Sequence, residues 1–186
     1  MKRIFDLAAA IFLLILLIAP MLVIALAIKF TSKGPILHQS DRVGLNNSIF
    51  KMYKFRTMRI DTPAVATHLL KDPSKYITPV GSFLRRLSLD ELPQLFNIVS
   101  GEMAFVGPRP ALFNQNDLIR LRTEKNIHKL IPGVTGWAQV NGRDTLPIPV
   151  KVEFDEYYLK NRSFALDARI MLMTIIKAMR GEGVQH

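Results

Sequence analysis

The sequence predicts an α+β protein: mainly helical, with one short β-hairpin, an N-terminal membrane helix broken by a proline, and amphipathic helices at the membrane interface. Three observations predict it. An uncharged apolar run extends from Leu7 to Ile28, with Pro20 inside it. The turn residues Gly44-Leu45-Asn46-Asn47 separate two strand-like pieces. From Val80 onwards, stretches with helical character fill most of the chain.

The apolar run is long enough, at about 1.5 Å per residue, to cross a bilayer core. Lys2 and Arg3 before it and Ala25-Leu26-Ala27 within it have the look of a signal peptide, but the run exceeds a usual signal core. A membrane anchor fits better. Both ends are basic, with Lys29 and Lys33 following the run, so the positive charges do not orient it. Pro20 removes one backbone donor and tends to kink or break a helix. A spanning helix and a re-entrant one that turns back at Pro20 both satisfy the pattern.

Beyond Ile28 the composition changes. Lys29, Lys33, Arg42, Lys51, Lys54, Arg56 and Arg59 stand against one acid, Asp41. A basic segment beside an apolar one suits an anionic membrane surface, at about 1 kcal/mol per cation near it; a merely solvated face would account for many of these residues. Strand-like pieces on either side of the Asn46-Asn47 turn predict a β-hairpin over residues 36–58. In Tyr53-Lys54-Phe55-Arg56 aromatics and cations alternate, so a strand would show Lys54 and Arg56 on one face, able to meet a phosphate. An ordinary amphipathic strand has the same pattern. Asp61 to Lys75, with Pro63 and Pro73, reads as a surface loop or short helix.

Val80 to Leu87 reads as a short helix presenting Arg85 and Arg86. Ser88-Leu89-Asp90-Glu91 then has the spacing of a capping box, with Ser88 as N-cap and Glu91 three residues on. As a cap it is purely structural. Its surroundings suggest more. A carboxylate at a helix start stays ionised, which suits a nucleophile or metal ligand. A second carboxylate beside it suits Mg²⁺, which takes hard oxygens and shares them with substrate phosphates. Arg109 stands between Pro108 and Pro110, so its backbone is stiff and its fork is directed towards a phosphate.

Ala111 to Lys129 reads as a covering helix. The segment Gly133 to Arg143 holds the single tryptophan, Trp137, and is either a loop near a nucleotide or sugar or a packed turn. Glu153 to Tyr158 starts another helix. Phe164 to Met179 is too short and too charged for an easy span, and fits a core or interfacial helix with Lys177 and Arg180 towards headgroups.

The chain has 186 residues and a formal charge of +10, so it supports a real core and favours anionic partners. There is no cysteine, which excludes disulfides and thiol catalysis. Its four histidines share no metal-ligand spacing. Aromatics interleaved with the cations are scarce, so nucleic acid is not an expected partner. A metal-dependent phosphatase using the same acids remains an alternative enzyme class.

Four linked motifs occur in order: Lys54-Phe55-Arg56-Thr57-Met58; Leu87-Ser88-Leu89-Asp90-Glu91-Leu92-Pro93-Gln94; Phe105-Val106-Gly107-Pro108-Arg109-Pro110; and Pro132-Gly133-Val134-Thr135-Gly136-Trp137-Ala138-Gln139-Val140-Asn141-Gly142-Arg143. With the Arg3-Ile4-Phe5-Asp6 start, they closely resemble the bacterial sugar transferases known as monotopic phosphoglycosyl transferases. The resemblance implies a minimal member: residues 1–30 a re-entrant membrane helix, residues 31–186 a catalytic domain on the cytoplasmic face of the bacterial inner membrane. It implies transfer of a phosphosugar from a UDP-sugar to undecaprenyl phosphate, releasing UMP, as the first membrane step of glycoconjugate assembly. Asp90 would be the nucleophile of a covalent aspartyl phosphosugar intermediate. Glu91 would hold Mg²⁺ with Asp90 or manage a proton, and Arg85 and Arg109 would contact phosphates. The family breaks its re-entrant helix at Ser-Pro, where this chain has Ala19-Pro20. Similarity to small members that handle acetylated amino sugars makes such a sugar, for instance a bacillosamine derivative, the expected substrate. Membrane lipids are further partners, and a homo-oligomer is left open.

Overall fold

The computed structural model describes residues 2–62, 72–142 and 146–180. Most of the polar segment expected between Asp61 and Lys75 (residues 63–71) lies outside them, as does Arg143.

Helix α1 spans Lys2–Thr31 and has the length and apolarity to cross a membrane, with a mean hydropathy of 3.2 in its most apolar window. Pro20 lies within it and does not end it. The ring removes the bond that an amide at this position would give the carbonyl of Leu16, and it crowds that carbonyl. One stripe of α1 docks on the rest of the chain. Ala10 is fully buried with Phe50, Met52, Leu95, Ile98 and Met103, flanked by Leu13, Leu14 and Leu17. Ile28 is buried with Phe55 and Leu84, flanked by Met21, Ile24 and Ala25. Positions 10, 13, 14, 17, 21, 24, 25 and 28 recur with helical period, so the seam is a single face about 27 Å long. The opposite face is bare: Phe12, Ile15, Leu22, Val23 and Phe30 are all 60% or more exposed.

Both ends of α1 are also tied by polar contacts. Lys2 Nζ lies 2.6 Å from Asp167 Oδ2. Arg3 donates to the carbonyls of Ile98 and Val99. At the far end Arg56 donates to the Ser32 carbonyl at 3.0 Å, to Ser32 Oγ at 2.8 Å and to the carbonyl of Lys33. A cation there complements the negative helix end. Gly34, with φ +115°, makes room for it: a Cβ would sit 2.3 Å from the Arg56 guanidinium.

The predicted hairpin is present. Strands β1 (Leu37–Val43) and β2 (Ile49–Phe55) pair antiparallel, from Leu37 opposite Phe55 to Val43 opposite Ile49. Asn46 and Asn47 both take positive φ in the turn, which asparagine tolerates. Helix α2 (Pro79–Arg86) is capped by Thr78, whose side chain accepts from the Gly81 amide at 3.0 Å. Helix α3 (Gln94–Ser100) follows and ends on Gly101, with φ +90°.

Strands β3 (Ala104–Val106) and β4 (Gly133–Thr135) pair in parallel. Their backbones nearly touch beyond the pairing: a Cβ on Gly133 would lie 2.1 Å from the Gly107 nitrogen. Helices α4 (Asn116–Glu124), α5 (Trp137–Asn141), α6 (Ile148–Asn161) and α7 (Phe164–Arg180) pack around this crossing. Their shared core contains Val106, Leu118, Ile127, Leu130, Val140, Val152, Tyr158 and Ile170. Helix α7 buries Ile170 and Asp167 while leaving Leu172 and Ile175 exposed, so it is a core helix with a second apolar face.

Candidate active site

The expected capping box is absent. Ser88 has φ 56° and ψ 22°, the left-handed region, and its side chain makes no cap bond. An N-cap residue needs extended backbone. The chain instead turns sharply at Ser88, whose amide donates to the Arg85 carbonyl at 3.0 Å. Leu89–Glu91 forms one 3₁₀ turn, and α3 starts only at Gln94, with Pro93 just before it. Asp90 and Glu91 are therefore mounted on a short turn between two helices, not on the first turn of α3. A non-glycine residue held left-handed stores strain, and such residues cluster at functional sites.

Glu91 is free of any capping role because Lys54 takes it. Lys54 Nζ, from β2, lies 2.6 Å from Glu91 Oε1 and 3.7 Å from Asp90 Oδ2. Arg109 Nη2 approaches the same Glu91 oxygen at 3.4 Å. Burial alone would raise the Glu91 carboxyl, but Lys54 and Arg109 more than offset it and hold it down at about 2. Asp90 is buried, at 8% exposure. That burial pushes its carboxyl above the usual range and Glu91 adds to the push, while Lys54 and Arg85 oppose it. Two adjacent carboxylates are thus driven in opposite directions, a condition that assigns different roles to chemically similar groups. Asp90 is the less stabilised anion, and so the better nucleophile of the two.

Arg85 lies behind the pair. Its Nε donates to Thr57 Oγ1 at 3.1 Å, which fixes the guanidinium near Asp90. The structure therefore brings Lys54, Arg85, Asp90, Glu91 and Arg109 together. Arg56 is not among them. The strand ends at Phe55, the alternation stops there, and Arg56 turns to the end of α1.

Other residues that pattern reading passed over build this site. Asn97, fully buried on α3, accepts from the Tyr53 amide at 3.1 Å and donates to the Lys51 carbonyl at 2.7 Å. It pins α3 to the outer edge of β2, and so the acidic turn to Lys54. Arg122 on α4 and Asp155 on α6 form a buried pair. Neither carries a local signal, since polar residues on helices are ordinarily solvated.

Asp90 and Glu91 supply adjacent hard oxygens, and among the described residues no group of three acidic or histidine side chains forms a metal cage. Mg²⁺ usually takes one or two carboxylates together with water and substrate phosphates, so the donor set fits it.

A family profile described as bacterial sugar transferase matches residues 1–181. The chain belongs to the bacterial sugar transferase family. The uncharacterized sugar transferase EpsL of Bacillus subtilis (strain 168) is 41% identical to it over 188 residues, covering 100% of this chain and 91% of that protein. The UDP-glucose:undecaprenyl-phosphate glucose-1-phosphate transferase of Escherichia coli (strain K12) is 41% identical over 95% of this chain and 40% of its own length. The UDP-N-acetylgalactosamine-undecaprenyl-phosphate N-acetylgalactosaminephosphotransferase of Aeromonas hydrophila is 36% identical over 99% of this chain and 45% of its own. This bacterial sugar transferase therefore spans less than half the length of those two relatives.

Proposed function

We propose that this sugar transferase moves a phosphosugar from a UDP-sugar to undecaprenyl phosphate, with release of UMP, through a covalent intermediate on Asp90. The observation that carries the reading is the buried Asp90 carboxylate, whose oxygen lies 3.7 Å from Lys54 Nζ, beside a Glu91 held ionised. The named activities of the Escherichia coli and Aeromonas relatives support the reaction class.

An Asp90 oxygen attacks the sugar-linked phosphorus. The bond from that phosphorus to the bridging oxygen breaks, and UMP leaves with the electron pair. Lys54 and Arg109 offset the charge that develops on the phosphates, and Arg85 steadies the Asp90 carboxylate. An oxygen of undecaprenyl phosphate then attacks the same phosphorus and frees Asp90. Asp90 and Glu91 would hold Mg²⁺, which when bound neutralises phosphate charge.

The polyprenyl acceptor requires a membrane-side site. The bare apolar face of α1 and the attachment of both its ends to one body support a helix that enters the membrane from the cytoplasmic face and returns to it, with residues 31–186 on that face. Pro20 would then be the place where α1 bends in a bilayer. An N-acetylated amino sugar is the substrate we favour, a choice supported by the Aeromonas relative.

The test is incubation with a UDP-linked N-acetylated amino sugar and Mg²⁺ but without acceptor, followed by intact mass. A phosphosugar adduct on the wild type, and none on Asp90→Asn, is expected. Release of free sugar phosphate with no adduct would point to the phosphatase class instead.

A further inference from the structure

The loop Pro108-Arg109-Pro110 is held by its carbonyl groups. Prolines at both flanks remove two amide donors, so this loop has little to give a neighbouring backbone. It accepts instead, at four successive residues: the Pro108 carbonyl accepts from the Gly133 amide at 3.0 Å. The Arg109 carbonyl accepts from Arg122 Nη1 at 2.8 Å. The Pro110 carbonyl accepts from Arg42 Nη1 at 3.3 Å. The Ala111 carbonyl accepts from the Val43 amide at 2.9 Å. Among the four donors, Arg122 has a buried anchor: its Nε and Nη2 both reach Asp155 Oδ2, at 2.9 and 2.5 Å. Arg122 is 8% exposed and Asp155 1% exposed.

A buried ion pair is weak evidence for stability, because desolvation offsets much of its attraction. Its retention here has a geometric explanation. One planar fork reaches a carboxylate on α6 and, with its remaining nitrogen, the peptide whose side chain meets Glu91. The path runs from Asp155 through Arg122 and the Arg109 carbonyl to the Arg109 guanidinium, 3.4 Å from Glu91 Oε1.

We propose that Arg122, fixed by Asp155, is a positioning residue that orients Arg109 for the reaction. The inference rests on the reading of Arg109 as a phosphate contact. Arg122 acts on catalysis only through the Arg109 peptide, so its effect depends on an intact Arg109 side chain.

The test uses the full chain and four proteins: wild type, Arg122→Lys, Arg109→Ala and the double variant. Lysine keeps the charge opposite Asp155 but cannot fork to the carbonyl as well. Arg122→Lys should lower kcat about tenfold in the wild-type background and less than twofold in the Arg109→Ala background. Amide exchange should rise in the segment 107–113 and stay unchanged in α6. Equal losses in both backgrounds, unchanged activity of Arg122→Lys, or exchange rising evenly over α4 and α6 would overturn the clamp. Full activity of Arg109→Ala would remove the underlying reading and the clamp with it. Should Arg122→Lys fail to fold, the exchange of Arg122→Met with Asp155→Leu replaces the pair with apolar side chains and carries the same comparison.

Discussion

Lys54 Nζ sits 2.6 Å from Glu91 and 3.7 Å from Asp90, so one cation from the hairpin serves two adjacent acids on a turn 36 residues further on in the chain. It has opposite consequences at the two. At Glu91 it helps to overcome burial and keep the carboxyl ionised. At Asp90 it only moderates a burial that still raises the carboxyl.

Replacing Lys54 with methionine should move the acid limb of kcat/KM to higher pH. In the proposed reaction Asp90 must be a carboxylate to attack, and loss of the cation raises its pKa further. Glu91 responds in the same direction. Its pKa lies at about 2 in the fold against an ordinary 4.5. The stabilisation it contributes is therefore complete above about pH 4.5 and is lost as the pH falls through about 2. In Lys54→Met that stabilisation should be smaller, and its loss complete at a higher pH. An acid limb identical to the wild type would separate Lys54 from the nucleophile.

Asp90→Asn should abolish turnover while raising the thermal midpoint. A carboxyl whose folded pKa is raised opposes folding wherever it is ionised, and the amide removes that charge. Calorimetry at pH 7 measures it. A midpoint lowered by more than about 5 °C would show that Asp90 supports the fold rather than the chemistry.

Asn97→Ala should destabilise the protein by about 2–4 kcal/mol in urea titration. It leaves the Tyr53 amide and the Lys51 carbonyl without their side-chain partner at a buried seam, and each unsatisfied group costs about 1–3 kcal/mol. A change below about 0.5 kcal/mol would mean that water replaces the amide freely.

Topology can be read directly because the chain has no cysteine. A cysteine placed at Lys33 and a tag before Lys2 should both be accessible from the cytoplasmic side. Access from opposite sides would establish a span. Arg56→Ala should weaken the seating of α1, seen as greater protease sensitivity near Gly34, and lower kcat far less than Arg109→Ala does. A loss of kcat as large as that of Arg109→Ala would return Arg56 to the phosphate site.

Local pattern was enough for some of this. The Asn46-Asn47 turn and the alternation around it place a hairpin at 36–58, and the strands occupy Leu37–Val43 and Ile49–Phe55. Turn chemistry and side-chain period act over a few residues, so a sequence displays them. The same holds for the apolar run, although not for its seam. Helix α1 is apolar all round, so nothing in its sequence separates the stripe through Ala10 and Ile28 from the bare face.

The acids and their neighbours divide in the same way. Asp90, Glu91 and Arg109 stand in motifs that a reader finds from residue type and spacing alone. The state of each acid is a matter of three dimensions. Ser88 has the composition of a cap, yet tertiary packing turns it left-handed, and Glu91 then pairs with Lys54 instead of the Ser88 amide three residues back. Arg122 and Asp155 look like solvated helix positions until α4 and α6 close over them. Sequence by itself determined which groups carry charge and where the chain can turn. Only the tertiary structure decided which charges are buried, and against what, because desolvation and Coulomb energy depend on distances between residues far apart in the chain.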